Sequence, residues 1–146
     1  MAGAFAWALV VGAALSVQVG LNAILRAHFG HAVWAALVNF GVGTLALLAF
    51  ALAVRAPLPP GAAFAQAPWW ALAGGALGAL YVASSTVLGP RLGVALLTAL
   101  VVAGQMLAAL AIDHYGWLGF QQNPVTLTRL AGAVLIVAGV VLLSRS

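Results

Sequence analysis

Three pairs of polar side chains recur at helical spacing inside otherwise apolar runs. Gln18 and Asn22 are four residues apart, as are Tyr81 and Ser85, and Thr98 and Gln105 are seven apart. In a helix each pair lies on one face. Asn39 stands alone in a further apolar run. Amides both donate and accept hydrogen bonds, so such faces can bind a polar, uncharged group. Polar groups in hydrocarbon need partners or a water-filled cavity, so Gln18, Asn22, Asn39, Tyr81, Ser85, Thr98 and Gln105 are the candidate substrate-binding residues. Gln18, Asn22 and Gln105 lead, because they lie deepest in their runs. The competing reading is that these groups only glue helices together, at about 0.6–2 kcal/mol each.

Glycines form a second pattern. Gly74 and Gly78 are spaced GxxxG, and Gly41 and Gly43 follow Asn39. Smooth positions of this kind let helices approach closely, and these four are the candidate helix-packing residues. Gly74, Gly78, Tyr81 and Ser85 form one stripe, for which packing is the favoured reading.

Other chemistry is not suggested. No Ser/His/Asp spacing, phosphate loop or metal-ligand cluster is visible, so neither enzyme activity, a metal site nor a cofactor is expected. The histidines at 28, 31 and 114 fall at the ends of apolar runs. The only acid, Asp113, falls at the end of the fourth run, either as a proton carrier with His114 or as a partner of Arg129 or Arg55. With no cysteine, disulfides and thiolate sites are excluded.

The elements that must position these residues follow from composition. Hydrophobic residues make up 66% of the 146 and charged residues 4%. A soluble domain carries roughly 25% charged residues to face water, so the solvent of this chain is largely lipid. The net charge of +4 comes from five scattered arginines, which form no basic patch and read as interface anchors rather than nucleic-acid contacts. Runs of about 20 apolar residues span a bilayer. The expected fold is all-α, a single polytopic domain over 1–146, with spans near 5–25, 32–54, 69–88, 92–112 and 124–144. The first run is uncharged before Val11 and continues to Leu25, so it reads as a retained span rather than a signal peptide. Gly89-Pro90-Arg91 reads as a tight connection. Asn123-Pro124 reads as an N-cap with Pro at the first helical position, starting the fifth span.

Five spans place the termini on opposite sides. Arg55 and Arg129 then lie with the N-terminus, and Arg26, Arg91 and Arg145 lie opposite. Such a flat distribution barely selects an orientation. It fits one fixed orientation with the C-terminus inside, or dual topology with copies inserted both ways.

The ordered series of motifs resembles the short, five-helix, YdcZ-like branch of the drug/metabolite transporter superfamily. The series runs Gln18-x-Gly20-x-Asn22, Asn39-Phe40-Gly41-Val42-Gly43-Thr44-Leu45, Gly74-Gly75-x-x-Gly78-Ala79-x-Tyr81, and Pro90-Arg91-Leu92-Gly93. It continues with Ala103-Gly104-Gln105, Asp113-His114-Tyr115-Gly116 and Arg129-x-x-Gly132-x-x-Leu135-x-x-x-Gly139. The resemblance implies a multi-pass inner-membrane protein exporting a small metabolite or drug-like solute. It also implies pairing, as a homodimer or with a sister chain, into an inverted assembly equivalent to ten-helix relatives. Small multidrug resistance relatives use a buried glutamate in their first helix; no acid stands there in this chain, so proton-coupled export of cations is not carried over. Inverted repeats place a site near the midplane and open it to either side by rocking, and that is the favoured mechanism. A pore built from the same dimer, or a non-transporting subunit of a partner complex, are the alternatives.

Overall fold

Long apolar runs without breakers satisfy every backbone group internally only as helices. The computed structural model describes residues 2–145 and follows that rule. Its long helices are α1 (Ala2–Phe29), α2 (Ala32–Ala53), α4 (Ala73–Leu92), α5 (Val94–Tyr115) and α6 (Leu127–Leu143). A six-residue α3 (Gly61–Gln66) follows the proline-rich segment, and short 3-10 turns stand at Trp69–Leu72 and Trp117–Gly119. The described residues contain no strand. The chain divides into two compact units, Met1–Pro90 and Arg91–Ser146.

Four stretches, Gly3–Phe29, Ala32–Ala53, Trp69–Leu92 and Val94–Tyr115, are long and apolar enough to cross a membrane. The fifth helix, α6, has 17 residues and rises about 26 Å, at the lower limit for a crossing. Trp69 and Trp70 lead into α4 and are exposed, as interfacial aromatics are. Large apolar side chains are exposed along every span, Leu52 at 79% for example, which water would oppose and lipid does not.

In the first unit α1 and α2 pack as a helical hairpin across Gly30 and His31. His31 caps α2: its Nδ1 accepts from the Val33 N–H at 3.2 Å. Ala32, Ala35 and Ala36 of α2 and Val19 and Asn22 of α1 are buried. Alanine removes side-chain bulk, so van der Waals contact can extend to the backbones. At its other end α2 stops in a Schellman arrangement: Arg55 takes a left-handed φ of 52°, and the Ala56 N–H reaches back to the Ala51 carbonyl at 2.9 Å.

Two expected boundaries move. Gly89-Pro90-Arg91 is not a connection, because α4 runs through Pro90 to Leu92. Proline lacks the N–H that would bond the carbonyl four residues back, that of Thr86. That carbonyl instead accepts from Arg26 Nη1 at 3.4 Å, so the helix survives its proline. The break comes at Gly93, with φ 79° and ψ 149°, a conformation open essentially to glycine alone. The start of α6 also moves. Thr126, not Asn123, is its N-cap, and the Thr126 hydroxyl accepts from the Arg129 N–H at 3.3 Å. The backbone of Asn123 is engaged elsewhere: its N–H donates to the Asp113 carbonyl at 2.7 Å and its carbonyl accepts from Arg129 Nη1 at 2.9 Å.

In the second unit α5 and α6 pack together, with Leu97, Leu110, Ala133 and Val140 buried. A polar knot ties the 116–126 connection to the end of α5. Asp113 pairs with Arg129, Gln122 Nε2 donates to the His114 carbonyl at 3.0 Å, and the Val125 N–H donates to His114 Nδ1 at 3.2 Å. Of the readings open for Asp113, the ion pair with Arg129 is the one observed.

Candidate solute-binding site

On α1, Gln18, Asn22 and Arg26 recur every four residues and so form a ladder on one face. At 1.5 Å per residue it runs about 12 Å, from near the middle of the helix toward its C-terminal end. Gln18 and Arg26 are half-buried, and Asn22 is 2% exposed. Asn22 Oδ1 is buried with no hydrogen-bond partner among the described residues. Such an acceptor carries a desolvation cost of about 1–3 kcal/mol, a cost a purely structural amide avoids by pairing.

The buried hydroxyls of α4 spend their protons within their own helix. Ser85 Oγ and Thr86 Oγ1 both donate to the Val82 carbonyl, at 3.0 and 2.6 Å. Both residues are buried, at 2% and 0% exposed. The buried stripe of α4 is Val82, Ser85, Thr86 and Gly89. It is rotated from the expected stripe of Gly74, Gly78, Tyr81 and Ser85 and shares only Ser85 with it. Tyr81 is half-buried beside it, and Asn39 is half-buried on α2.

Arg26 and Thr86 are the residues that sequence reasoning passed over as site members. A usable signal was present: Pro90 lies four residues after Thr86, which marks a freed carbonyl in need of a donor. Arg26 makes one hydrogen bond, to that carbonyl, and its remaining guanidinium donors have no partner among the described residues. No side-chain carboxylate among the described residues pairs with it, since the single acidic side chain, Asp113, pairs with Arg129.

The other expected site residues, Thr98 and Gln105, belong to the second unit. Thr98 is half-buried. Gln105, at the middle of α5, is exposed and has no partner among the described residues. Of the four packing glycines, only Gly78 meets another helix: a Cβ there would lie 3.5 Å from the Phe40 ring of α2. At Gly41, Gly43 and Gly74 a Cβ would meet nothing within 4 Å, so these smooth faces have no partner among the described residues. An apolar groove of about 340 Å³, lined by Val33, Ala36, Phe40, Gly75 and Ala79 among others, lies between α2 and α4.

A family model described as "Putative inner membrane exporter, YdcZ" matches residues 3–142, nearly the whole chain. The chain belongs to this family. No curated protein and no solved structure gives a match. Membership in the YdcZ family agrees with the multi-pass helical architecture and places the protein in the inner membrane. It also makes this a protein of the exporter class.

Proposed function

We propose that this YdcZ family member exports a small metabolite or drug-like solute by alternating access, as a dimer whose two copies are inverted. The observation that carries the reading is the buried, unpaired Oδ1 of Asn22 on a polar face of α1. A membrane protein that tolerates an unsatisfied acceptor in its interior gains something from it, and a transiently bound donor is the direct candidate. Gln18 extends the face to the middle of α1, and Asn39, Tyr81 and Ser85 supply further polar groups in the same unit. In this reading the protein binds and moves its solute without transforming it.

Gln105 supports the dimer. An exposed amide at the middle of a spanning helix is costly against lipid, and a second copy relieves it. A two-fold axis in the membrane plane passes through the midplane, so residues there can meet their own copies. Amides are self-complementary, since each both donates and accepts. Thr98 lies seven residues away on the same face.

The test is solute efflux from proteoliposomes across a panel of metabolites, with Asn22→Leu and Gln18→Leu as site variants. Loss of efflux by about tenfold or more in Asn22→Leu is expected. Full efflux in both variants would remove the site, and conductance without saturation would favour the pore.

A further inference from the structure

We propose that the Asn22–Arg26 face binds a small organic anion that also carries a hydrogen-bond donor, such as a hydroxy- or amino-carboxylate. The inference rests on the exporter reading and specifies its substrate class. Two independent observations meet on one helical face. Arg26 is a half-buried cation whose one hydrogen bond goes to the Thr86 carbonyl, leaving the rest of its donor fork for a second acceptor. Asn22, one turn deeper, presents a buried acceptor that lacks a donor. A ligand complementary to both has an anionic group for the Arg26 guanidinium and an N–H or O–H directed further in, toward the Asn22 oxygen.

Charge argues the same way. The first unit contains arginines and no acid, so an anion entering it meets no carboxylate and a cation meets no partner. Pro90 acts as a positioning residue. By lacking an N–H it leaves the Thr86 carbonyl open, and that carbonyl holds the guanidinium on the inner face of α4 rather than leaving it to snorkel to the interface. The shared chemistry, a carboxylate- or phosphate-type anion, is also that of a lipid headgroup, and the experiment separates the two sources.

The experiment is thermal stabilisation of the full-length protein in neutral detergent by matched probes: lactate, propionate and lactamide, and the larger set malate, succinate and malamide. Each set varies charge and donor at nearly fixed size. In at least one set the hydroxy acid is expected to stabilise most, the acid without hydroxyl less, and the neutral amide least. Asn22→Leu is expected to erase the advantage of the hydroxy acid over the plain acid. Arg26→Gln is expected to weaken anion binding roughly tenfold or more and to erase the preference for acid over amide. Because Arg26→Gln also strips the Thr86 carbonyl of its donor, the double variant Arg26→Gln/Pro90→Ala restores a helical N–H there and removes the cation alone. Anions that stabilise no better than their amides, or an anion preference that survives in the double variant, overturn the proposal. Stabilisation by phosphatidylglycerol in nanodiscs that no free anion matches assigns the site to a headgroup and overturns the solute. Anion binding without efflux sinks the exporter reading instead, while efflux of neutral solutes without anion binding sinks this inference alone.

Discussion

Asn22 is the residue at which stability and the proposed binding role oppose each other. Its oxygen is buried and has no partner among the described residues, whereas the buried polar groups Ser85 and Thr86 of α4 are satisfied by their own helix. Replacing a buried unpaired polar group with an apolar one of similar size removes its desolvation penalty. Asn22→Leu is therefore expected to raise the thermal stability of the detergent-solubilised protein by about 1 kcal/mol while abolishing efflux. A fall in stability would mean that the amide works as helix glue. The residue types of this candidate site were legible from the chain alone, because an amide inside a long apolar run is conspicuous. Arg26 was less so: an arginine near the end of a span reads as an interface anchor until its partner is seen.

At the scale of elements, two glycines carry the conformations at which helices end. Gly93 terminates α4 where Pro90 does not, and Gly116 ends α5 with φ 66° and ψ 33°. A Cβ at Gly116 would lie 3.3 Å from the Gln122 Cβ and 3.4 Å from the Phe120 carbonyl, inside the connection held by the Asp113–Arg129 pair. Gly116→Ala combines left-handed strain with that crowding, and a loss of about 1–2 kcal/mol is expected by thermal or denaturant unfolding in detergent. An unchanged midpoint would show that the connection yields freely. The helix starts at Thr126 rather than Asn123 for a related reason. Sequence supplies the capping residues, but which one caps depends on whose backbone the polar knot has already claimed.

At the scale of the whole molecule, the smooth faces at Gly41, Gly43 and Gly74 and the exposed Gln105 have no partner among the described residues. An inverted pair gives a register that can be checked. Residues at 105 − k and 105 + k of the two copies then lie at matching depth. Gln105→Cys is expected to form a disulfide-linked dimer in native membranes. Thr98→Cys co-expressed with Ile112→Cys, seven residues to either side on the same face, is expected to cross-link between the two variants and not within each. Thr98→Cys or Ile112→Cys homodimers would indicate a parallel pair, and no cross-link at any of these positions would remove α5 from the interface.

The sequence by itself determined that the solvent is lipid, where the four longest spans lie, and that their interiors hold amides and hydroxyls instead of acids. These follow from composition and run length, which need no knowledge of neighbours. Only the tertiary structure decided which face each helix turns inward, that Asp113 takes Arg129 over Arg55, and that Arg26 replaces the N–H missing at Pro90. The physical reason is periodicity. A helix that is apolar over most of its surface, as these are, carries only a weak 3.6-residue signal to mark its buried side. Contacts between distant residues then choose the stripe, as they chose Val82, Ser85, Thr86 and Gly89 on α4.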